Sequence, residues 1–324
     1  MTFDFTVALR KDRKVHRIVS LLPSATEIVC ALGFEAQLVG RSHECDYPPA
    51  VVRLPVLTSP KFNAEGTSAE VDLRVKKVLA DALSVYRVNV ELLRSLKPNV
   101  IVTQSQCEVC AVSIRDVEQA AADWIDGPPP MIISLAPYSL GDVMADIQRV
   151  GVELGEPERA IKLVAALSHR MTTIEQQAAK AGRRPTVGCI EWIEPLMVAG
   201  NWMPELVTMA GGENLFGDAG QHSPTMRFER LLEDDPDVIL LMPCGFSMDR
   251  TAAELETLAS RPGWAGLKAV REQQVYLADG NQYFNRPGPR IAESLEILAE
   301  ILHPQIFHFR HEGTGWRRLS PASY

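Results

Sequence analysis

Short apolar runs alternate along the chain with stretches whose apolar residues recur at helical period. Residues 17–22 (RIVSLL) read as a buried strand, and 23–33 (PSATEIVCALG) as the helix after it. Ser24 and Glu27 have the S-x-x-E spacing of a capping box, and Gly33 supplies a left-handed stop. Residues 37–41 (QLVGR) form a second strand pattern that runs into the loop 42–49 (SHECDYPP). A helix over 89–96, a strand over 100–103 and a helix over 112–124 continue the series. Strands alternating with helices of this length predict an α/β fold with parallel sheets covered on both faces. Ligands of such sheets bind beyond the carboxyl ends of the strands, so the loops 23–27, 42–49 and 104–111 are expected along one edge.

The pattern changes at about residue 139. Two long amphipathic stretches, broken by Gly155-Glu156-Pro157, fill the chain to about Gly182, and the strand pattern restarts at 185–190 (PTVGCI). The expected division is an N-terminal extension (1–16), a first α/β lobe (17–138), a helical connector (139–182), a second α/β lobe (183–303) and a tail (304–324). An internal echo supports two similar lobes: VELLRSLKPNVIV from Val90 and FERLLEDDPDVIL from Phe228 share a glutamate seven residues before a proline, then an apolar strand. Each lobe thus carries one glutamate, Glu91 or Glu229, at the start of an equivalent helix.

Composition narrows the function. The 324 residues are 46% hydrophobic with a formal net charge of -8, and no basic run with interleaved aromatics is present to track a phosphate backbone, so nucleic acid is not an expected partner. No stretch approaches the ~18 apolar residues of a membrane span. The N-terminal residues lack the apolar core of a secretory signal, and a cytoplasmic location with reduced thiols is expected from that.

Candidate chemistry centres on cysteine and histidine. Cys107 and Cys110 form a C-x-x-C pair that follows a strand and opens a helix, and three readings stay open for it: buried structural thiols, metal or ligand contact, and redox chemistry. If the loops after the strands converge, His43, Cys45, Cys107 and Cys110 make a mixed set suited to zinc or iron. A thiol-dependent enzyme is a further alternative, although residues two apart, as His43 and Cys45 are, rarely assemble into a nucleophile and base. His222 lies in a Gly-rich loop, Glu191 and Glu194 flank Trp192 after a strand, and residues 211–216 (GGENLF) read as a structural turn.

The ordered segments IVSLLPSATE, LVGRSHECDYPP, LKPNVIV, GGENLF and RPGPRI resemble the periplasmic vitamin B12-binding proteins. More broadly, residues 17–303 are similar to the class of siderophore, haem and cobalamin binding proteins of ABC importers, and most of all to their leaderless relatives. The resemblance implies two Rossmann-like lobes with central parallel sheets, joined by a long rigid backbone helix, with the ligand in the cleft between them. It implies a corrinoid (cobalamin-like) or related tetrapyrrole as ligand, held for storage, hand-off or sensing rather than for catalysis. The positions it assigns to ligand contact are His43, Glu44, Cys45, Gln104, Gln106, Glu191, Trp192, Trp202, His222, Tyr283, Phe284 and Arg286. Glu91 and Glu229 match the glutamates that dock each lobe onto a membrane permease. The sequence departs from the pattern where packing aromatics are expected, with Glu44, Gln104 and Ser223 in their places. The segment 66–87 is longer than in exported relatives and is a candidate to fold over the cleft.

Overall fold

The computed structural model describes residues 16–81, 85–105 and 128–319. In the first lobe, β1 (Ile18–Ser20) leads to α1 (Pro23–Ala31), β2 (Leu38–Arg41), the short β3 (Thr58–Pro60), α2 (Ser68–Asp81) and β4 (Tyr86–Val88). Next come α3 (Val90–Leu96), β5 (Val100–Gln104) and β6 (Met131–Leu135). The order β2-β1-β5-β6 makes a wholly parallel sheet, with β3 and β4 as a separate antiparallel pair. β1 and β5 are buried throughout, the signature of parallel strands covered on both faces.

The connector is a helical hairpin of α4 (Leu140–Glu153) and α5 (Pro157–Ala178). Ser139 and Asp142 form a reciprocal capping box at its start. A Cβ at Gly151 would stand 2.4 Å from that of Ala160, so the two helices meet at a contact that only glycine allows. The long backbone helix expected from the resemblance is the 22-residue α5, with α4 packed against it.

The second lobe contains β7 (Thr186–Trp192), β8 (Met197–Val198), α6 (Met203–Met209), β9 (Glu213–Asn214), α7 (Phe228–Asp234) and β10 (Val238–Leu241). It continues through α8 (Met248–Ala253), α9 (Leu255–Ala259), α10 (Lys268–Arg271), β11 (Val275–Ala278) and α11 (Ile291–Leu302) to β12 (Trp316–Arg318). Its sheet runs β12-β11-β10-β7-β8, with β9 also on β7; β7, β10 and β11 are parallel, whereas β12 is antiparallel to β11. Apolar side chains of both sheets and of the connector merge into one core that includes Val102, Ile147, Met171, Leu240 and Leu298.

The internal echo is a structural repeat. α3 and α7 are seven-residue helices whose second residue is the glutamate, and each ends on a left-handed residue, Lys97 at φ 45° or Asp235 at φ 40°. A proline and a buried parallel strand follow in both. The capping box expected at Ser24 and Glu27 is absent: α1 starts one residue earlier, at Pro23, and no side chain caps it. Proline in the first turn needs no amide partner and presets φ for the helix, so the start is specified without the box.

Candidate functional site

The loops after β1 and β2, with Gln104 at the end of β5, lie at the carboxyl edge of the first sheet and face the second lobe; the rest of the loop 104–111 lies outside the described residues. His43 is half-buried; its backbone N–H donates to Thr58 Oγ1 at 3.0 Å and its Nδ1 lies 2.7 Å from the same oxygen. Burial, reinforced by the Arg41 charge, lowers the affinity of His43 for a proton below the ordinary 6.5. Glu44 accepts from the Tyr86 hydroxyl at 2.9 Å, and burial raises its carboxyl above the usual range against that bond. Cys45 points the other way, into the protein, where Thr26 Oγ1 donates to its sulfur at 3.0 Å and burial pushes its thiol up to about 11.

Cys45 is 1% exposed and its sulfur faces Thr26, whereas the His43 ring faces Thr58, so the structure does not turn these two side chains toward a common point. Cys107, Cys110 and Gln106 lie outside the described residues. Among the described residues, no group of three or more His, Cys, Asp or Glu side chains is placed to hold a metal ion.

The floor of the cleft is an ion network between the lobes. Glu27 on α1 accepts from Arg286 Nη1 at 3.2 Å and from Arg290 Nε and Nη2 at 3.0 and 2.6 Å. Arg286 also holds both oxygens of Asp46, at 2.6 and 3.1 Å, and Arg290 lies 4.0 Å over the Tyr47 ring. Glu27, Arg286 and Arg290 are buried, and two carboxylates against two guanidiniums leave the quartet neutral. Burial raises the Asp46 carboxyl, but the Arg286 bonds and charge and the Asn281 amide outweigh it and hold it below the ordinary 3.8. Arg286 was expected at the ligand; Glu27, Asp46 and Arg290 were not.

Above the floor lies a small cavity of about 80 Å³, bordered by Gln104 of the first lobe and by Glu191, Asn201, Trp202, His222 and Asn285 of the second. Phe284 and the exposed Cys244 also border it. Glu191 is positioned by Ser223, whose hydroxyl donates to it at 2.9 Å while accepting the Gly200 N–H at 3.0 Å. Trp202 is buried and its indole N–H donates to the Phe284 carbonyl at 2.8 Å, which fixes the ring as cavity wall. His222 is exposed, and its Nδ1 lies 3.0 Å from the Ser223 carbonyl; because that oxygen only accepts, Nδ1 carries a proton, which in the neutral ring leaves the lone pair on Nε2. Trp192, next in sequence to Glu191, does not border the cavity and packs edge-on to Phe246 at 5.1 Å. Tyr283 instead packs against His311 and Arg290, behind the floor, so it does not join the cavity residues.

Cys244, Asn201 and Asn285 were missed by sequence reasoning. Each follows a strand or turn of the second lobe, so the rule that ligands sit beyond strand ends would have included them had it been applied there as it was to the first lobe.

Glu91 and Glu229 are exposed at the first turns of α3 and α7. No helix among the described residues is long and apolar enough to cross a membrane.

A fold of two parallel-sheet lobes, joined by a helical connector and closing on a cleft lined from both sides, defines a substrate-binding protein. The chain belongs to the periplasmic binding protein family, whose profile matches residues 18–281. It is 25% identical over 307 residues to an uncharacterized ABC transporter substrate-binding lipoprotein of Bacillus subtilis, covering 93% of this chain and 83% of that one. It is 24% identical over 308 residues, 91% of each chain, to the vitamin B12-binding protein of Vibrio cholerae. The structure of a periplasmic heme binding protein from Pseudomonas aeruginosa has the same fold, with a TM-score of 0.70 at 20% identity over 94% of this chain and 98% of that one. The family consists of binding proteins rather than enzymes, and nothing supports the thiol-dependent activity considered above. The expectation of a cytoplasmic location is overturned: the family is described as periplasmic and the Bacillus relative as a lipoprotein, which indicates an extracytoplasmic setting.

Proposed function

We propose that this protein captures a corrinoid in its interlobe cleft and delivers it to an ABC importer from outside the cytoplasm. The observation that carries the reading is the chemistry of the cavity wall. Gln104, Asn201 and Asn285 offer neutral amides from both lobes beside Glu191 and His222, and no Lys or Arg is among the described residues that border the cavity. A corrinoid is rimmed by carboxamides, which pair with amides and carboxylates in both donor and acceptor roles. Haem presents two propionates and acidic siderophores several oxyanions, like charges that the Glu191 carboxylate on the wall disfavours. Trp202 and Phe284 supply apolar wall for the macrocycle.

A haem reading has one observation in its favour, the His222 Nε2 lone pair, which suits a metal at the centre of a tetrapyrrole. His43, Glu44 and Trp192 do not border the cavity, and in this reading they join the contact set when the cleft widens. Glu91 and Glu229 are the docking points of the two lobes on the permease, one per lobe at equivalent places in the repeat.

Titration calorimetry with aquocobalamin and, separately, hemin tests the assignment. Saturable binding of the corrinoid, weakened by Gln104→Ala and Asn285→Ala, is expected. Absence of heat and of co-elution at high micromolar aquocobalamin defeats it, and tight hemin binding lost in His222→Ala turns it to the second reading.

A further inference from the structure

The chain between β3 and β4 carries its own helix from one rim of the cleft to the other. It departs and returns at the rim of the first lobe, where Thr58 and Tyr86 hold His43 and Glu44. Its leading end is preformed: Thr67 and Glu70 cap α2 reciprocally, and Arg74 donates to the carbonyls of Asn63 and Glu65. That end sits on the second lobe. Ser68 N–H donates to Glu254 Oε1 at 2.7 Å, Ser68 Oγ accepts the Glu194 N–H at 3.1 Å, and Arg250 Nη2 donates to the carbonyls of Ala64 and Gly66 at 2.8 and 3.1 Å.

We propose that residues 61–81 form a strap whose seat on Glu194, Arg250 and Glu254 is the gate of the cleft, so that a ligand enters by release of the strap while the lobes stay joined at the floor. Three observations carry this. The cavity of about 80 Å³ falls far below the roughly 300–1,000 Å³ of small-molecule pockets, so some element must move before a macrocycle fits. Of the two ties between the lobes described above, the floor is a charge-balanced quartet with three of its four members buried. The strap is held by the four hydrogen bonds given above, two of them from the half-buried Arg250 to carbonyls of the exposed Ala64 and Gly66, and its leading loop belongs to the less stable class of element. The seat is also incompletely satisfied, because the buried Glu254 Oε2 has no hydrogen-bond partner.

The seat connects to the chain beside the cavity residue Glu191 through ring contacts. The Arg250 guanidinium lies 3.7 Å over Phe246, and Phe246 packs edge-on against Trp192, the neighbour of Glu191 in sequence. Release of Arg250 therefore loosens this aromatic pair in the same movement.

The strap rests on the cleft-binding function only for what passes beneath it, and its seating is read without ligand. Hydrogen exchange followed by mass spectrometry on the unliganded full chain compares the wild type with Arg250→Ala and with the milder Ser68→Ala. Loss of the two charge-assisted hydrogen bonds from Arg250 predicts exchange at least about tenfold faster across 64–72 in Arg250→Ala, with α11 unchanged. Stopped-flow mixing with aquocobalamin should then show association and dissociation both faster, with affinity changed less than either rate. Unaltered exchange in both variants overturns the strap, and so does faster exchange with both corrinoid rates unchanged. If aquocobalamin binds neither wild type nor variants, the ligand assignment fails and the exchange result alone decides the strap.

Discussion

Replacing Glu27 with alanine removes the one carboxylate among the described residues that hydrogen-bonds both Arg286 and Arg290, and tests whether the floor holds the lobes together. The side chain accepts three hydrogen bonds from two buried guanidiniums. Breaking a buried ion pair from one side costs about 3–5 kcal/mol, because the abandoned charge keeps its desolvation penalty. Here the low end applies, since Arg286 keeps Asp46 and Arg290 keeps the Tyr47 ring and Gln282. At roughly 2 °C per kcal/mol for a chain of this size, Glu27→Ala should melt about 6 °C below wild type. Adding Arg290→Met removes one stranded charge, so the pair of changes should cost less than the sum of the single changes by about 1–3 kcal/mol. Thermal and urea unfolding followed by circular dichroism measure both quantities. A Glu27→Ala loss under about 1 kcal/mol, or strict additivity with Arg290→Met, would refute the floor as an interlobe tie.

The remaining predictions concern thiols, pH and docking. Burial pushes the Cys30 and Cys189 thiols up to about 12 and Cys45 to about 11, so iodoacetamide at neutral pH should label Cys244 first among the described cysteines, and bound aquocobalamin should protect it; fast labelling of Cys45 contradicts this. Burial lowers the His303 pKa below the ordinary 6.5; the unfolded chain then binds more protons, so this residue makes stability fall as pH drops below about 6.5, and His303→Gln should flatten the slope of urea-unfolding free energy between pH 7.5 and 5.5. The depressed Asp46 carboxyl gives the same sign at lower pH: its bond to Arg286 stabilises above the ordinary 3.8 and is lost as pH falls through the lower folded value, an acid step that Asp46→Asn should remove. Glu91→Arg with Glu229→Arg should leave corrinoid affinity within about twofold while abolishing stimulation of permease ATPase activity in vesicles; loss of both together assigns the glutamates to folding instead.

Features encoded within a few residues of each other were legible in the sequence, and features assembled across the cleft were not. The strands around Val19, Ile101 and Leu240 show as apolar runs because both sheet faces are covered, and Gly33 shows as a stop because its φ is +83°. The repeat around Glu91 and Glu229 was visible because helix, proline and strand follow in one short window. Glu27 was misread because S-x-x-E is a local pattern, whereas its actual partners lie 259 and 263 residues away. His43 and Cys45 were grouped because they are neighbours in sequence, but in the loop His43 faces Thr58 and Cys45 faces Thr26. The T-x-x-E box at Thr67 and Glu70 was a genuine capping signal that passed unnoticed inside a segment read only as an insertion.

The pairing of β12 with β11 also bears on solubility. A parallel sheet built from the second lobe alone would expose the backbone donors and acceptors of Val275–Ala278 as an open template for another chain. The returning Trp316–Arg318 covers that template and places two arginines on the new edge, Arg317 paired to Asp249 and Arg318 bonded to the Tyr276 hydroxyl. The C-terminal segment thus serves as the molecule's own guard against aggregation, and a version trimmed after Leu302 would trade it for a sticky border.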